Sequence, residues 1–299
     1  NRVTTSQAQR SRSARMSGHV DQNTHYPFPE QWRPLIVTIA LVLLLVLSCW
    51  RRMWHAKLLV IWSVTLLSAF FMLRGGLFGL EPVETERWGG LPLTMLLSMV
   101  SLGLSFPLAV MIALGRRSRM PIIKALCVLF VEIVRGVPLI SVLFMASFMF
   151  PLLLPQGMSI DVLVRVLVGL TLFTGAYLAE AVRAGLQAIP KGQVEAACAI
   201  GLSTWQTNSK IVLPQALRLV VPSMMNTLIG TFKDTSLVTI VGLFELTGSL
   251  QLSLADAEWR RFYIEGQLFV AAIYFVFCFS MSRYSRWIEH HLNRGTRRQ

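Results

Sequence analysis

The chain has 299 residues, of which 54% are hydrophobic and only 14% charged, and its mean hydropathy is +0.57. Such a balance excludes an ordinary soluble globular domain and indicates an integral membrane protein. The net charge of +13 does not point to nucleic acid, because the Lys and Arg residues fall in short clusters between apolar runs rather than on one soluble face.

Catalytic and metal chemistry find little support. Cys49, Cys127, Cys198 and Cys278 are far apart, lack a paired metal-type spacing and read as packing residues. His19, His25, His55, His290 and His291 form no HExxH pattern, and no GxxxxGK[ST] phosphate loop occurs. Any ATP chemistry is therefore expected to belong to another polypeptide.

Residues 1–34, with Arg2, Arg10, Arg12 and Arg15 among Ser, Gln and Thr, have too little apolar surface to offset their ordering entropy and are predicted to be largely disordered. Apolar runs long enough, or nearly so, to cross a bilayer follow at Leu35 to Trp50, Leu58 to Leu73, Leu93 to Leu114, Pro138 to Leu154, Val162 to Ala184, Val220 to Leu246 and Gln267 to Trp287. They predict an all-α protein with about seven transmembrane helices. None resembles a cleaved signal peptide.

Basic residues resist translocation, so alternate loops reveal orientation. One set holds Arg51, Arg52, Lys57, Arg116, Arg117, Arg119, Lys124, Arg183, Lys191, Lys210, Arg218 and the C-terminal Arg283, Arg286, Arg294, Arg297 and Arg298. The other holds Arg74, Arg87, Arg165, Arg260 and Arg261. The first set should face the cytoplasm with the C-terminus, which leaves the arginine-bearing tail outside. As the chain starts at Asn1 rather than Met, a truncated start and a missing upstream helix would resolve that conflict. Trp32, Trp50, Trp54, Trp88, Trp259 and Trp287 lie near span ends and are expected to be interfacial anchors.

Two parts are expected after the tail. Residues 35–90 form an accessory hairpin and an acidic outer loop, whereas from 91 to 299 nearly every span carries a polar group, as a transport core should. In the core, Glu132 and Arg135 share a helix face, and Gly136 and Pro138 then loosen the helix so that free backbone groups can line a cavity. The pair reads equally well as an internal ion pair. Tyr177, Glu180 and Ala184 share a face, and Glu180 also reaches Arg183. Tyr177 suits a hydrogen-bonded interface better than a ligand contact. Thr171, Gly175 and Ala179 form a small-residue stripe for close helix approach.

Between two spans lies a kinked polar segment at about 186–218. Ile189-Pro190-Lys191-Gly192 ends one helix, and Gln193 to Ile200 restarts a short one with Glu195 near its N-terminus and Gly201 as its stop. Ala196, Ala197 and Ala199 leave a smooth surface. A second helical stretch runs through Trp205 and Ile211 to Leu213, and Pro214 is expected to break it before the chain re-enters the membrane. Further on, Lys233-Asp234-Thr235-Ser236 interrupts an apolar run, flanked by Gly230 and Gly242, where an unpaired charge costs several kcal/mol. Both a self-neutralising pair and a locally opened helix beside a water-filled cavity satisfy that cost.

Glu195-Ala196-Ala197, then Gly201, then Ile211-x-Leu213-Pro214, resembles the loop by which permease subunits of bacterial ABC importers dock onto their ATPase. Glu132-x-x-Arg135-Gly136-x-Pro138-Leu139, Ala176-Tyr177-x-Ala179-Glu180-x-x-Arg183-x-Gly185, Leu213-Pro214-Gln215-Ala216 and Lys233-Asp234-Thr235-Ser236-Leu237 resemble successive motifs of the histidine/glutamine-type permeases for polar amino acids. The extra N-terminal helices and Trp88-Gly89-Gly90-Leu91 are most similar to the permease of general L-amino-acid systems.

The resemblance implies a type I ABC importer core in the bacterial inner membrane. It also implies a second similar permease, two ATPase subunits and a periplasmic amino-acid-binding protein as partners, with lipid around the spans and no nucleic acid. Residues 195–197, 201, 211, 213 and 214 are then the ATPase-coupling residues. Glu132, Arg135, Gly136, Tyr177, Glu180, Lys233, Asp234 and Ser236 line the substrate pathway, with Asp234 toward the substrate ammonium and Ser236 or backbone amides near its carboxylate. An ion-coupled secondary transporter of a small zwitterion is the alternative, and it leaves the Glu-Ala-Ala segment without a purpose. A membrane-anchored scaffold is a weaker one, since it needs no intramembrane charge.

Overall fold

The computed structural model describes residues 26–49, 56–76, 79–155 and 157–293. Of the tail 1–34 expected to be largely disordered, residues 1–25 lie outside them, as do the anchors Trp50 and Trp54 and the terminal arginines Arg294, Arg297 and Arg298, whereas residues 26–34 depart from the expectation, with a 3-10 turn over Phe28–Glu30 and a helix that starts at Trp32. The architecture is all-α and multispan. Its helices are α1 (Trp32–Ser48), α2 (Ala56–Arg74), α3 (Gly90–Gly115), α4 (Pro121–Gly136), α5 (Leu139–Leu152), α6 (Val162–Gln187), α7 (Lys191–Ala199), α8 (Thr204–Val241), α9 (Leu246–Ala255) and α10 (Tyr263–Asn293).

Five helical segments among the described residues are long and apolar enough to cross a bilayer, and six if a bent pair counts as one span. The expected count of about seven is not confirmed among the described residues, for two physical reasons. Helix α1 has only 17 residues, short of the roughly 20 that a hydrocarbon core requires. The run from Pro138 to Leu154 is no independent span, because α4 and α5 together form the bent pair, turned by 107° at Val137–Pro138. The expected break after Gly136 is therefore found, and it is sharp. Within α5, Met145–Met149 is a π turn.

By Cα proximity the chain comprises two units, Asn1–Leu96 with Val238–Val270, and Leu97–Leu237 with Ala271–Gln299. In the first, Leu41, Leu44, Ala69 and Leu73 are buried, while Leu35, Ile39, Leu43, Leu59, Val60 and Val64 present exposed apolar surface, as lipid-facing helices require. Arg33, fully buried, pairs with Glu30 at 2.6 Å and donates to the Glu81 carbonyl at 3.0 Å. Trp88 departs from its expected role as an anchor. It is 1% exposed and packs edge-on against Phe70 with ring centroids 5.4 Å apart, whereas Trp32, Trp259 and Trp287 are exposed as anchors should be.

A carboxylate that the sequence did not single out organises the rest of this unit. The two-residue strand Phe244–Glu245 bridges Gly89 and Gly90 in parallel. Gly89 is required there, since a Cβ would lie 2.8 Å from the Phe244 carbonyl oxygen. Glu245, fully buried, caps α9: its Oε1 accepts from the Thr247 and Gly248 amides at 2.8 and 3.0 Å, and Thr94 Oγ1 donates to Oε2 at 3.3 Å.

In the second unit α6 is the centre, with half of its residues in the apolar window buried. The stripe Thr171, Gly175, Ala179 meets α3, where Ser105 Oγ donates to the Thr171 carbonyl at 2.9 Å and Leu108 fills the space over Gly175. Toward the end of the same helix Gly185 faces α8, and a Cβ there would come within 2.9 Å of the Ala216 carbonyl oxygen. Ala113, Val182, Leu186, Val212, Ala216 and Val220 form one buried cluster at that end.

Two expected outcomes follow for thermal unfolding of the purified protein in detergent. Gly185→Leu forces α6 from α8 and lowers stability by about 1–3 kcal/mol. Glu245→Ala strands two buried amides and lowers stability by about 3 kcal/mol, with Glu245→Gln losing clearly less; equal loss in the two Glu245 variants would show that capping is not its role.

Candidate functional site

Three helices of the second unit bring five charged side chains together. Glu180 on α6 is the hub. Arg183, one turn on, donates from Nε to both carboxylate oxygens at 3.1 and 3.0 Å, and from Nη2 as well. Arg116, just past the end of α3, donates from Nη1 to Oε2 at 2.8 Å, and Arg135 on α4 brings Nη1 to 3.9 Å of the same oxygen. Both oxygens of Glu180 are thus engaged by guanidiniums. A carboxylate at membrane depth is costly unless paired, and here it is paired more than once.

The expected pairing of Glu132 with Arg135 does not form. Glu132 meets Arg116 instead, at 3.5 Å, and 63% of its side chain is exposed. Arg135 turns over the ring of Tyr177, its Cζ 5.4 Å from the centroid, and makes no hydrogen bond among the described residues. Tyr177 is 38% exposed, and its ring rather than its hydroxyl makes the contact that is seen. Glu132, Arg135, Tyr177 and Glu180 are therefore brought together, with Gly136 at the bend that ends α4.

Lys233, Asp234 and Ser236 lie elsewhere in this unit, at the end of the α-helical part of α8. The helix does not open at Asp234 but tightens into a 3-10 stretch over Thr235–Val241. Lys233 and Asp234 make no ion pair among the described residues, because successive residues on a helix do not face each other. Lys233 is exposed and Asp234 half-buried. The preceding turn is fixed: Phe232 packs between Tyr274 and Phe277, and the hydroxyls of Thr231 and Thr174 are 3.2 Å apart.

The kinked segment is built from local signals. Helix α7 begins two residues before the expected Gln193, at Lys191, with Pro190 as its N-cap. It ends in a Schellman motif: Gly201 adopts φ of +79°, its amide donates to the Cys198 carbonyl, and the Leu202 amide to that of Ala197. Ser203 and Gln206 then form a capping box. Glu195, Ala196 and Gly201 are exposed, but Ala197 is 1% exposed and faces inward.

Pro214 does not break the helix that follows. From Thr204 to Val241 the chain is one helical run, with a π turn over Asn208–Val212. The wider turn sets Pro214 at the start of the α-helical part, where a missing amide costs nothing. Leu213 and Val194 pack on the buried cluster beside Val182 and Val212, so Leu213 anchors the segment to the spans.

Several functional candidates escaped the sequence reading. Arg116 and Arg117 looked like topogenic charges, yet Arg116 holds Glu180 and Arg117 Nη1 donates to the Leu186 carbonyl at 3.3 Å. Ile200 and Trp205 are 74% and 73% exposed on the kinked segment, two large apolar side chains flanking its turn. Only the paired spacing of Arg183 and Glu180 carried a sequence signal.

This geometry has relatives. Residues 105–294 match the family described as "Binding-protein-dependent transport system inner membrane component". The inner membrane amino-acid ABC transporter permease protein of Escherichia coli is 48% identical over 275 residues, covering 90% of this chain and 74% of that one. The glutamate/glutamine/aspartate/asparagine transport system permease protein of Rhodobacter capsulatus is 45% identical, over 73% of this chain and half of its own length. Among solved structures, an amino acid ABC transporter crystallised with histidines matches at 28% identity and a TM-score of 0.61, covering 68% of this chain and 92% of that one. The matched stretch contains the charged hub, the kinked segment and the Lys233–Ser236 motif alike, and the chain belongs to this family of membrane components of binding-protein-dependent transport systems.

Proposed function

We propose that this chain passes L-amino acids across the inner membrane as the permease subunit of an ATP-driven importer. The observation that carries this reading is the kinked segment, seated on the buried cluster beside α6 and presenting Glu195, Ala196, Gly201, Ile200 and Trp205 outward. Exposed apolar side chains on a water-facing turn suit a protein partner. In this reading the segment faces the cytoplasm, as does the C-terminus, and docks on one of two ATPase subunits that bind ATP and Mg.

A second permease completes the pathway, and a periplasmic binding protein supplies the amino acid. Closure of the ATPases pushes on the segment 195–201, while Ile211, Leu213 and Pro214 carry the push into α8. Along the pathway, Glu132, Arg135, Gly136, Tyr177, Glu180, Lys233, Asp234 and Ser236 provide the polar surface for a zwitterion. That Asp234 and Lys233 form no direct ion pair among the described residues favours a role in that pathway over the self-neutralising alternative. Membership in the binding-protein-dependent family sets aside the ion-coupled secondary transporter, for which these charges alone had spoken.

Glu195→Lys and Gly201→Asp are expected to abolish ATP-driven uptake of labelled L-amino acids and to reduce co-purification of the ATPase, with membrane insertion unchanged. Wild-type uptake by both variants would remove the docking role.

A further inference from the structure

Helix α5 carries a proline that its own backbone does not satisfy. Pro151 has no amide to offer the carbonyl of Ser147 four residues earlier, and its ring crowds that oxygen. In lipid the gap has to be closed from elsewhere, and two adjustments close it. The turn before the proline widens into the π turn Met145–Met149, where the Phe150 amide donates to the Met145 carbonyl. The Ser147 carbonyl is then taken by a side chain of another helix, for Arg165 of α6 donates to it from Nη1. Arg165 stands in the first turn of α6, which Asp161 caps by accepting from the Leu163 amide at 2.8 Å.

Beyond this bond α5 has little else to hold it. Before it, Leu143 and Ala146 pack over Gly169 of α6. Ser147 itself is 3% exposed, but no described residue from 148 to 162 is buried, and Leu152 and Leu153 are more than four-fifths exposed, at 83% and 81%. The bond is also incompletely matched, since Arg165 Nε and Ser147 Oγ are both buried without a hydrogen-bond partner among the described residues. A guanidinium on a neutral carbonyl is held more weakly than one on a carboxylate, as Arg183 is held by Glu180.

Building on the reading of this chain as an amino-acid permease, we propose that Arg165 is a positioning residue for transport, which latches the end of α5, Ser147–Leu152, onto α6 and by its release lets that end swing as the pathway opens. The π turn and the missing amide make a joint there, because a helix whose bond is supplied from outside bends without breaking its own ladder. From Arg165 to the end of α6 at Gln187 is about 33 Å of continuous helix at 1.5 Å per residue. In the proposed orientation the latch therefore stands at the outer end of the span, away from the kinked segment, where the binding protein delivers its amino acid.

The test uses the intact assembly of this chain with its permease and ATPase partners in liposomes, and reads ATP hydrolysis and uptake of labelled L-amino acids with and without the soluble binding protein. Arg165→Met unlatches α5, so hydrolysis without the binding protein is expected to rise about tenfold while the amino acid imported per ATP falls. Arg165→Lys keeps a charged donor for the carbonyl and should hold both readings within about twofold of wild type. Pro151→Ala supplies the missing amide and stiffens the joint. Its thermal stability in detergent is expected to rise while uptake falls about fivefold, a combination that a merely structural proline does not give. Should Arg165→Met fail to assemble, Pro151→Ala decides alone.

Wild-type hydrolysis and uptake in Arg165→Met would overturn the proposal, as would a parallel loss of both in an assembled complex. Wild-type uptake in Pro151→Ala would overturn it as well. Failure of the wild-type assembly to import any amino acid tested would instead remove the functional reading beneath it.

Discussion

An ionised carboxylate at membrane depth has to be compensated, and Glu180 is the group around which this protein satisfies that demand. Its compensation comes from the residue after α3, the last turn of α4 and the next turn of α6 itself. A single Arg183 would have met the electrostatic requirement from within the helix. The recruitment of Arg116 and Arg135 ties three helix ends to one carboxylate, which gives direction to packing that apolar contacts alone leave unspecific in a membrane. Helices in lipid gain no hydrophobic driving force from meeting each other, so close packing and polar contacts must hold them together.

Close packing is the second half of that solution, and it too centres on α6. Gly175 admits Leu108 of α3, and Gly185 brings the backbone of α8 so near that no side chain fits between. Glu180 lies between these two glycines on the same helix. The charged hub therefore sits where α6 is closely packed on both sides. Glu245 does comparable work in the first unit, where one buried carboxylate caps α9 and meets Thr94 at the start of α3.

What the sequence made legible were features with a short period. Helical spacing placed Tyr177, Glu180 and Arg183 together, the four-residue stripe from Thr171 to Ala179 identified a packing face, and Pro190 and Gly201 bounded the short helix to within two residues. Features set by distant partners were not legible. Arg116 was indistinguishable from a topogenic charge because its partner lies 64 residues away. Glu132 sat three residues from Arg135, yet Glu132 meets Arg116 and Arg135 stands over Tyr177, partners that lie on other segments. Five or six spans are counted among the described residues rather than about seven, in part because an apolar run states hydrophobicity and not direction: the 107° turn before Leu139 joins the run from Pro138 to α4 as one bent pair. Pro214 misled for a related reason, since a π turn absorbs a proline without ending the helix.

The same helix carries both functional features, and this decides how one can affect the other. From Glu180 to the end of α6 at Gln187 is two turns of continuous helix, about 10 Å at 1.5 Å per residue. Over that distance a helix packed on both sides moves as a rod. Its end is fastened to the kinked segment by the chain itself, by Ile189 and Val194 packing on the cluster of Val182, Leu186 and Val212, and by Arg117 on the Leu186 carbonyl. A force applied to α7 thus displaces Arg183 and Glu180 together, whereas Arg116 and Arg135 belong to other segments and need not follow. The contact most exposed to such a displacement is the longest one, Arg135 to Glu180 at 3.9 Å. In the proposed reading, a displacement of the kinked segment would therefore change first how far Arg135 stands from its carboxylate.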